Sequence, residues 1–362
     1  MAKTAHDLVL RTGFRNSYYF FLPKDVRLQI IGEYLGTYNV RLSRNTTAWI
    51  DTSGLIPLNT HAPLLSAVIK NVRITEDKKY WNIKVYTHLR VPFRIEQSVN
   101  PQALDIYFYY STADTDWMRN LCNKPQRVQP QWQQVNDGLY RLHIPISVNQ
   151  QWGYKTEYDK DDNFVIRIKK PPRIAKWPYS PLKHLHILLD PGHWPDHGAV
   201  GPSGVTEKEI NLRLARELAE RLRQKGATVS LTHNGEPGIS LQDRIRYAKE
   251  LEPDILLSLH HNALPDGVNP FINHGTSTYY YHPQNFALAL KIQEQLLDTF
   301  HLPNYGLFWD NLAMCRITNT ISVLIEPAFM IYPQEEKLVR SKAYYRECSK
   351  ALIQSIREFI TD

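Results

Sequence analysis

The chain has 362 residues, enough for two or three domains and a substantial core. It is 43% hydrophobic and 22% charged, and no apolar run approaches the length of a bilayer, so membrane insertion is not expected. The formal net charge of +7 suits an anionic polymer, but the basic residues are scattered and no basic helix or RNA-binding motif occurs, which argues against a nucleic-acid partner.

The N-terminal MAKTAHDLVLRTGF lacks an apolar h-region, so no export signal is visible in it. The first half then consists of short aromatic and β-branched segments separated by turn residues. Examples are VRLQIIGEY (26–34), YNVRLS (38–43), YWNIKVYTHL (80–89), ALDIYFYYS (103–111) and NFVIRIK (163–169). None keeps a helical period, so this half is expected to be all-β. We divide it into a small β-barrel over 1–60 and a β-rich module over 61–175. PPRIAKWPYSPLKH has four prolines in fourteen residues and predicts a stiff connector, placed at 176–184. The three cysteines, Cys122, Cys315 and Cys348, form no CxxC pair, and an odd number leaves at least one thiol outside any intrachain disulfide.

From 185 onwards strands and helices alternate. LHILLD (185–190), TVSLTH (228–233), ILLSLH (255–260), STYYYH (277–282) and ISVLIE (321–326) predict strands. Helices are predicted at 209–224, 240–251, 283–300 and 333–360. In the first of these, Ile210, Leu214, Leu218 and Leu222 recur at i, i+4, and Lys225-Gly226 supplies a cationic last turn with a C′ glycine. Alternation of this kind predicts a multi-domain chain whose C-terminal α/β domain, residues 185–362, is a mainly parallel sheet with helices on both faces.

Sites in open α/β sheets form where loops leave the carboxyl ends of strands. Here those ends carry His193 in DPGH, His260-His261 in LLSLHH and Glu326 in SVLIE, and VTEKEINL adds Glu207 and Glu209 at a helix start. Thr206 and Glu209 fit S/T-x-x-E, so Glu209 is assigned to a capping box and Glu207 is left for chemistry. Two histidines and a carboxylate with one open position make a hydrolytic zinc site. His193, Glu207 and His260 are the expected ligands and Glu326 the expected general base. Pro327 keeps Glu326 on extended backbone.

These motifs, DPGHWPDHGAVGPSGVTEKEINLRLA, SLQDRIRYAKELEPDILLSLHHNA and ISVLIEPAFMIYPQEE, stand in the order found in zinc-dependent N-acetylmuramoyl-L-alanine amidases. Residues 183 to 361 resemble the catalytic domain of cell-wall amidases related to the division amidases. The resemblance implies cleavage of the amide bond between N-acetylmuramic acid and L-alanine of the peptidoglycan stem peptide, in the periplasm or at the cell envelope. It implies zinc on His193, Glu207 and His260, Glu326 as the catalytic glutamate, and Arg316 and Asn262 as residues near the substrate. Trp194-Pro195 departs from the family's Gly-Gly, which makes Trp194 a stacking surface for substrate or a wall that narrows the cleft. Only LPDGVNPFINHG follows the second histidine motif, too short for the inhibitory helix of some relatives, so an open site is expected. QIIGEYLGTYNVRLSRNTTAWIDTSGLIPL is similar to bacterial Src-homology-3-type modules, and AVIKNVRITEDKKYWNIKVYTHLRVPFRIEQ to AMIN targeting domains. Two other functions fit the same residues: a zinc peptidase cutting within the stem peptide, and a wall-binding scaffold with an inactive amidase fold.

Overall fold

The computed structural model describes residues 1–59, 63–175, 180–265 and 267–361. The chain divides into two compact units, Met1–Lys170 and Pro171–Asp362. The expected module boundary at 60/61 and the first part of the 176–184 connector lie outside the described residues.

Unit one is built of strands; its described residues contain no helix beyond a single 3-10 turn at Pro125–Arg127. Seven antiparallel strands between Ala2 and Pro57 form one sheet. Its central hairpin, Arg27–Tyr34 with Thr37–Ser43, turns at Leu35-Gly36, where Gly36 takes φ +75° without a Cβ penalty. Alternation along these strands buries Leu10, Leu22, Leu28, Val40, Leu42 and Ile50. A five-stranded and a four-stranded sheet follow, packed over a second core that includes Ile69, Ile83, Ile106, Phe108 and Phe164. Tyr109 and Leu139, from the later strands, enter the first core. Phe20 stacks on Tyr109 with ring centroids 5.7 Å apart, and the Tyr110 hydroxyl donates to the Arg41 carbonyl.

Unit two is the α/β domain. Its sheet runs Thr228–Leu231, His186–Pro191, Ile255–Leu259, Ile321–Glu326, Thr276–Tyr280, Asn304–Trp309. The first four are mutually parallel, and the last two run the opposite way. Helix α1 spans Glu207–Gln224, α2 Leu241–Leu251, α3 Phe286–Phe300, α4 Pro333–Val339 and α5 Lys342–Thr361. Leu188 and Leu256 pack towards α2 with Ala248, Met314 and Ile317, while α1, α3 and α5 pack together, so helices cover both faces. No helix among the described residues is long and apolar enough to cross a membrane.

Local signals act as written in the sequence. Glu209 reaches back to accept the Thr206 backbone N–H at 3.2 Å, and α1 ends at Lys225 before Gly226 at φ +89°. Ser240 caps α2 by accepting the Asp243 N–H at 3.2 Å. Two features differ from expectation. The helix predicted over 333–360 is broken between α4 and α5, where the Ser341 hydroxyl accepts the Tyr344 N–H at 3.2 Å and starts a new helix. The edge strand Asn304–Trp309 has no counterpart among the predicted strands, because it is half-exposed and interrupted by Gly306.

Candidate metal centre

The strand order sets the site. Ile255–Leu259 lies between His186–Pro191 and Ile321–Glu326, all three parallel, so the loops that follow them leave on one edge. The loop after Pro191 bends at once: His193 and Trp194 both adopt left-handed backbone, φ +69° and +71°. Such angles cost non-glycine residues free energy and persist only when surroundings enforce them. Here Gly192 N–H donates to the Leu259 carbonyl at 2.8 Å, and the Trp194 N–H to the Asp196 carbonyl at 3.2 Å.

Helix α1 starts beneath this loop and delivers Glu207, 4% exposed, into it. Its Oε2 lies 2.9 Å from His193 Nε2, and its Oε1 lies 3.0 Å from His260 Nδ1. One ligand atom from each of His193, Glu207 and His260 falls within 4.8 Å of the others. The two imidazoles meet edge to face, 4.9 Å between centroids. The far nitrogen of His193, Nδ1, lies 2.5 Å from Asp196 Oδ1, the carboxylate–histidine pairing that keeps the other nitrogen available to a metal. Close approach depends on two missing side chains. A Cβ on Gly192 would fall 2.2 Å from His260 Cε1, and one on Gly198 would fall 2.5 Å from Glu207 Oε2. The donor set, its spacing and this crowding fit a divalent cation with N and O ligands.

Electrostatics agree with the packing. Burial opposes ionisation of Glu207, but hydrogen bonds and charge from His193 and His260 outweigh it and hold the carboxyl far below the usual carboxylate range. His193 is raised: burial alone would lower it, and Glu207 and Asp196 overcome that. Glu326 is the opposite case. Burial, reinforced by the Glu207 charge and partly offset by His193, pushes it up to about 8. Glu326 Oε2 is shut off from solvent and has no hydrogen-bond partner among the described residues. A carboxyl oxygen left without a partner beside three converging ligands is equipped to take and return a proton.

The other expected residues lie as follows. The Asn262 amide donates to Ser277 Oγ at 3.2 Å and Tyr279 Oη at 3.4 Å, and its backbone bridges to Phe329 beyond Glu326. The Arg316 guanidinium holds the Asn311 carbonyl at 2.7 Å. Trp194 is half-buried with Lys208 Nζ 4.4 Å above its ring, so a cation covers part of the face expected to stack on substrate. The described part of 264–275 forms turns without a helix.

Sequence reasoning missed the supports. Asp190, fully buried, accepts from Thr232 Oγ1 and Ser258 Oγ at 2.7 Å each and pairs with Arg244 Nη1 at 3.3 Å. His261, 1% exposed, is no ligand: its Nδ1 faces Asn211 Oδ1 at 2.8 Å and its Nε2 faces Tyr344 Oη at 2.6 Å. Burial holds it down to about 4, a neutral imidazole. An acid ending an apolar strand in LHILLD was the one available signal for Asp190; nothing local marked Asn211 or Tyr344.

The family model for N-acetylmuramoyl-L-alanine amidase matches residues 187–358. The "Probable cell wall amidase LytH" of Staphylococcus saprophyticus is 29% identical over 224 residues, 61% of this chain and 72% of that protein. The protein of the same name from Staphylococcus aureus is 28% identical over 185 residues, which spans 50% of this chain and 60% of its own length. Among solved structures, an N-acetylmuramoyl-L-alanine amidase from Clostridium difficile is 27% identical with a TM-score of 0.46, covering 49% of this chain and 97% of that one. Together the family match and the two staphylococcal relatives support an N-acetylmuramoyl-L-alanine amidase catalytic domain in the C-terminal half of the chain.

Proposed function

We propose that the chain is a peptidoglycan hydrolase of the cell envelope that cleaves the amide joining N-acetylmuramic acid to L-alanine of the stem peptide. His193, Glu207 and His260 hold zinc. When bound, that ion supplies Lewis acidity, lowering the pKa of water towards neutrality and polarising a carbonyl. Glu326, favoured as the carboxylate by the charge of the bound cation, takes the proton from the attacking water on Oε2 and returns it to the departing nitrogen. Asp196 keeps His193 in the tautomer that presents Nε2. Trp194, Arg316 and Asn262 are the proposed substrate contacts, and the β modules at 1–60 and 61–175 the proposed wall-binding elements.

The observation that carries this reading is the convergence of the three ligand atoms within 4.8 Å, with Glu326 close enough for the Glu207 and His193 charges to move its pKa. The test is digestion of purified sacculi by the zinc-loaded chain, with products read by mass spectrometry. Intact stem peptides bearing a free N-terminal alanine are expected. Glu326→Gln should keep its zinc and lose roughly two to four orders of magnitude in rate. Fragments cut within the stem would make the chain a peptidase, and turnover by Glu326→Gln equal to wild type would remove Glu326 from its role.

A further inference from the structure

The hydrogen bonds behind Glu207 form a chain whose direction is fixed by the donors and acceptors in it. Asn211, one turn after Glu207 on α1 and fully buried, places Nδ2 3.2 Å from Glu207 Oε1 and 3.3 Å from the Gly192 carbonyl. Both are acceptors, so the amide nitrogen must face them. Asn211 Oδ1 is therefore the acceptor left for His261 Nδ1, which carries the ring proton. In the neutral ring Nε2 is then the acceptor, and Tyr344 on α5 donates its hydroxyl at 2.6 Å. Donation runs from Tyr344 to His261 to Asn211 and ends on the Glu207 carboxylate, an acceptor.

Each member blocks a specific error. The two ends of the Asn211 amide are nearly the same shape, and rotated by half a turn its oxygen would face the Glu207 carboxylate. The His261 N–H on Oδ1 forbids that rotation, because an N–H would then meet an NH2. Tyr344 in turn holds the His261 tautomer. His261 also anchors Glu207 directly, its backbone N–H lying 3.0 Å from Oε1. The chain's members come from α1, the loop after Ile255–Leu259, and α5, and α1 packs on α5.

We infer that Tyr344, His261 and Asn211 are positioning residues that fix the orientation of the Glu207 carboxylate, and through it the affinity of the site for a divalent metal. The inference rests on the metal-site reading above. Outer groups of this kind typically change metal affinity 10- to 100-fold when removed.

The test is competition of the full chain against a chromophoric chelator for zinc, with thermal unfolding of the metal-free form beside it. Wild type is expected to take up about one equivalent; failure to do so overturns the metal site itself. Tyr344→Phe keeps the ring and removes the hydroxyl, with its bonds to His261 and Cys348, and it should weaken zinc binding roughly 10-fold. His261→Leu should weaken it further. His261→Gln retains one donor and one acceptor and should recover part of the loss. A purely structural chain would lower the unfolding temperature of the metal-free variants and leave their zinc affinity at the wild-type value. If wild type binds zinc and Tyr344→Phe binds it equally well, the positioning role is refuted, whether or not His261→Leu folds.

Discussion

Replacing Glu326 with glutamine in the metal-free protein should change how stability depends on pH. The folded carboxyl is pushed up to about 8 from an ordinary 4.5, with burial the largest cause. Between those values the folded chain keeps a proton on Glu326 that the unfolded chain releases, so stability falls as pH rises. The full gap corresponds to about 5 kcal/mol, present below the unfolded value and lost once pH passes the folded one. For a domain of this size that is roughly 10–20 °C in Tm. Glu326→Gln cannot ionise, and it is nearly isosteric with the protonated acid. The two chelator-treated proteins should therefore unfold at similar temperatures near pH 5. By pH 8 to 9 the variant should be the more stable, its advantage growing steadily between. Differential scanning calorimetry across that range measures this, and the transition that moves identifies the α/β unit. Parallel profiles, or a variant less stable at high pH, would refute the claim that ionising a half-buried Glu326, whose Oε2 has no partner among the described residues, destabilises the metal-free fold.

His193→Ala should abolish stoichiometric zinc uptake and with it any zinc-induced rise in Tm; wild type at a hundredfold excess over Kd should gain about 2.7 kcal/mol, read by thermal shift. Arg244→Met leaves Asp190 charged and buried without its cation and should cost about 3–5 kcal/mol in chemical denaturation, while adding Asp190→Asn should restore part of that loss. Gly192→Ala drives a methyl into the His260 ring at 2.2 Å, so its zinc affinity should fall well below wild type in chelator competition. Unchanged affinity in Gly192→Ala would show that the loop yields and the ring does not.

The legible parts of this protein are those governed by short spacings. Leucines at i, i+4 predicted the buried face of α1, Gly226 its end, and the Thr206–Glu209 box which of two glutamates was free to enter the site. Apolar runs ending in His193, His260 and Glu326 marked strand ends because alternation and burial leave a local trace. Two local errors have local causes. Asn304–Trp309 is an edge strand with too little buried surface to write a pattern, and Ser341 breaks a helix inside an otherwise continuous helical composition.

What the sequence by itself determined, then, was the set of side chains at the strand ends and the helix start, with their resemblance to one family of hydrolases. Tertiary structure decided which of them are neighbours and what stands behind them. Only the order of strands puts His260 beside His193. Asp190 finds Ser258 68 residues away, and His261 finds Tyr344 83 residues away. The physical reason is that helical and strand periods register contacts a few residues apart, whereas a buried charge or imidazole is satisfied by whatever donor the assembled sheet and helices bring within 3 Å.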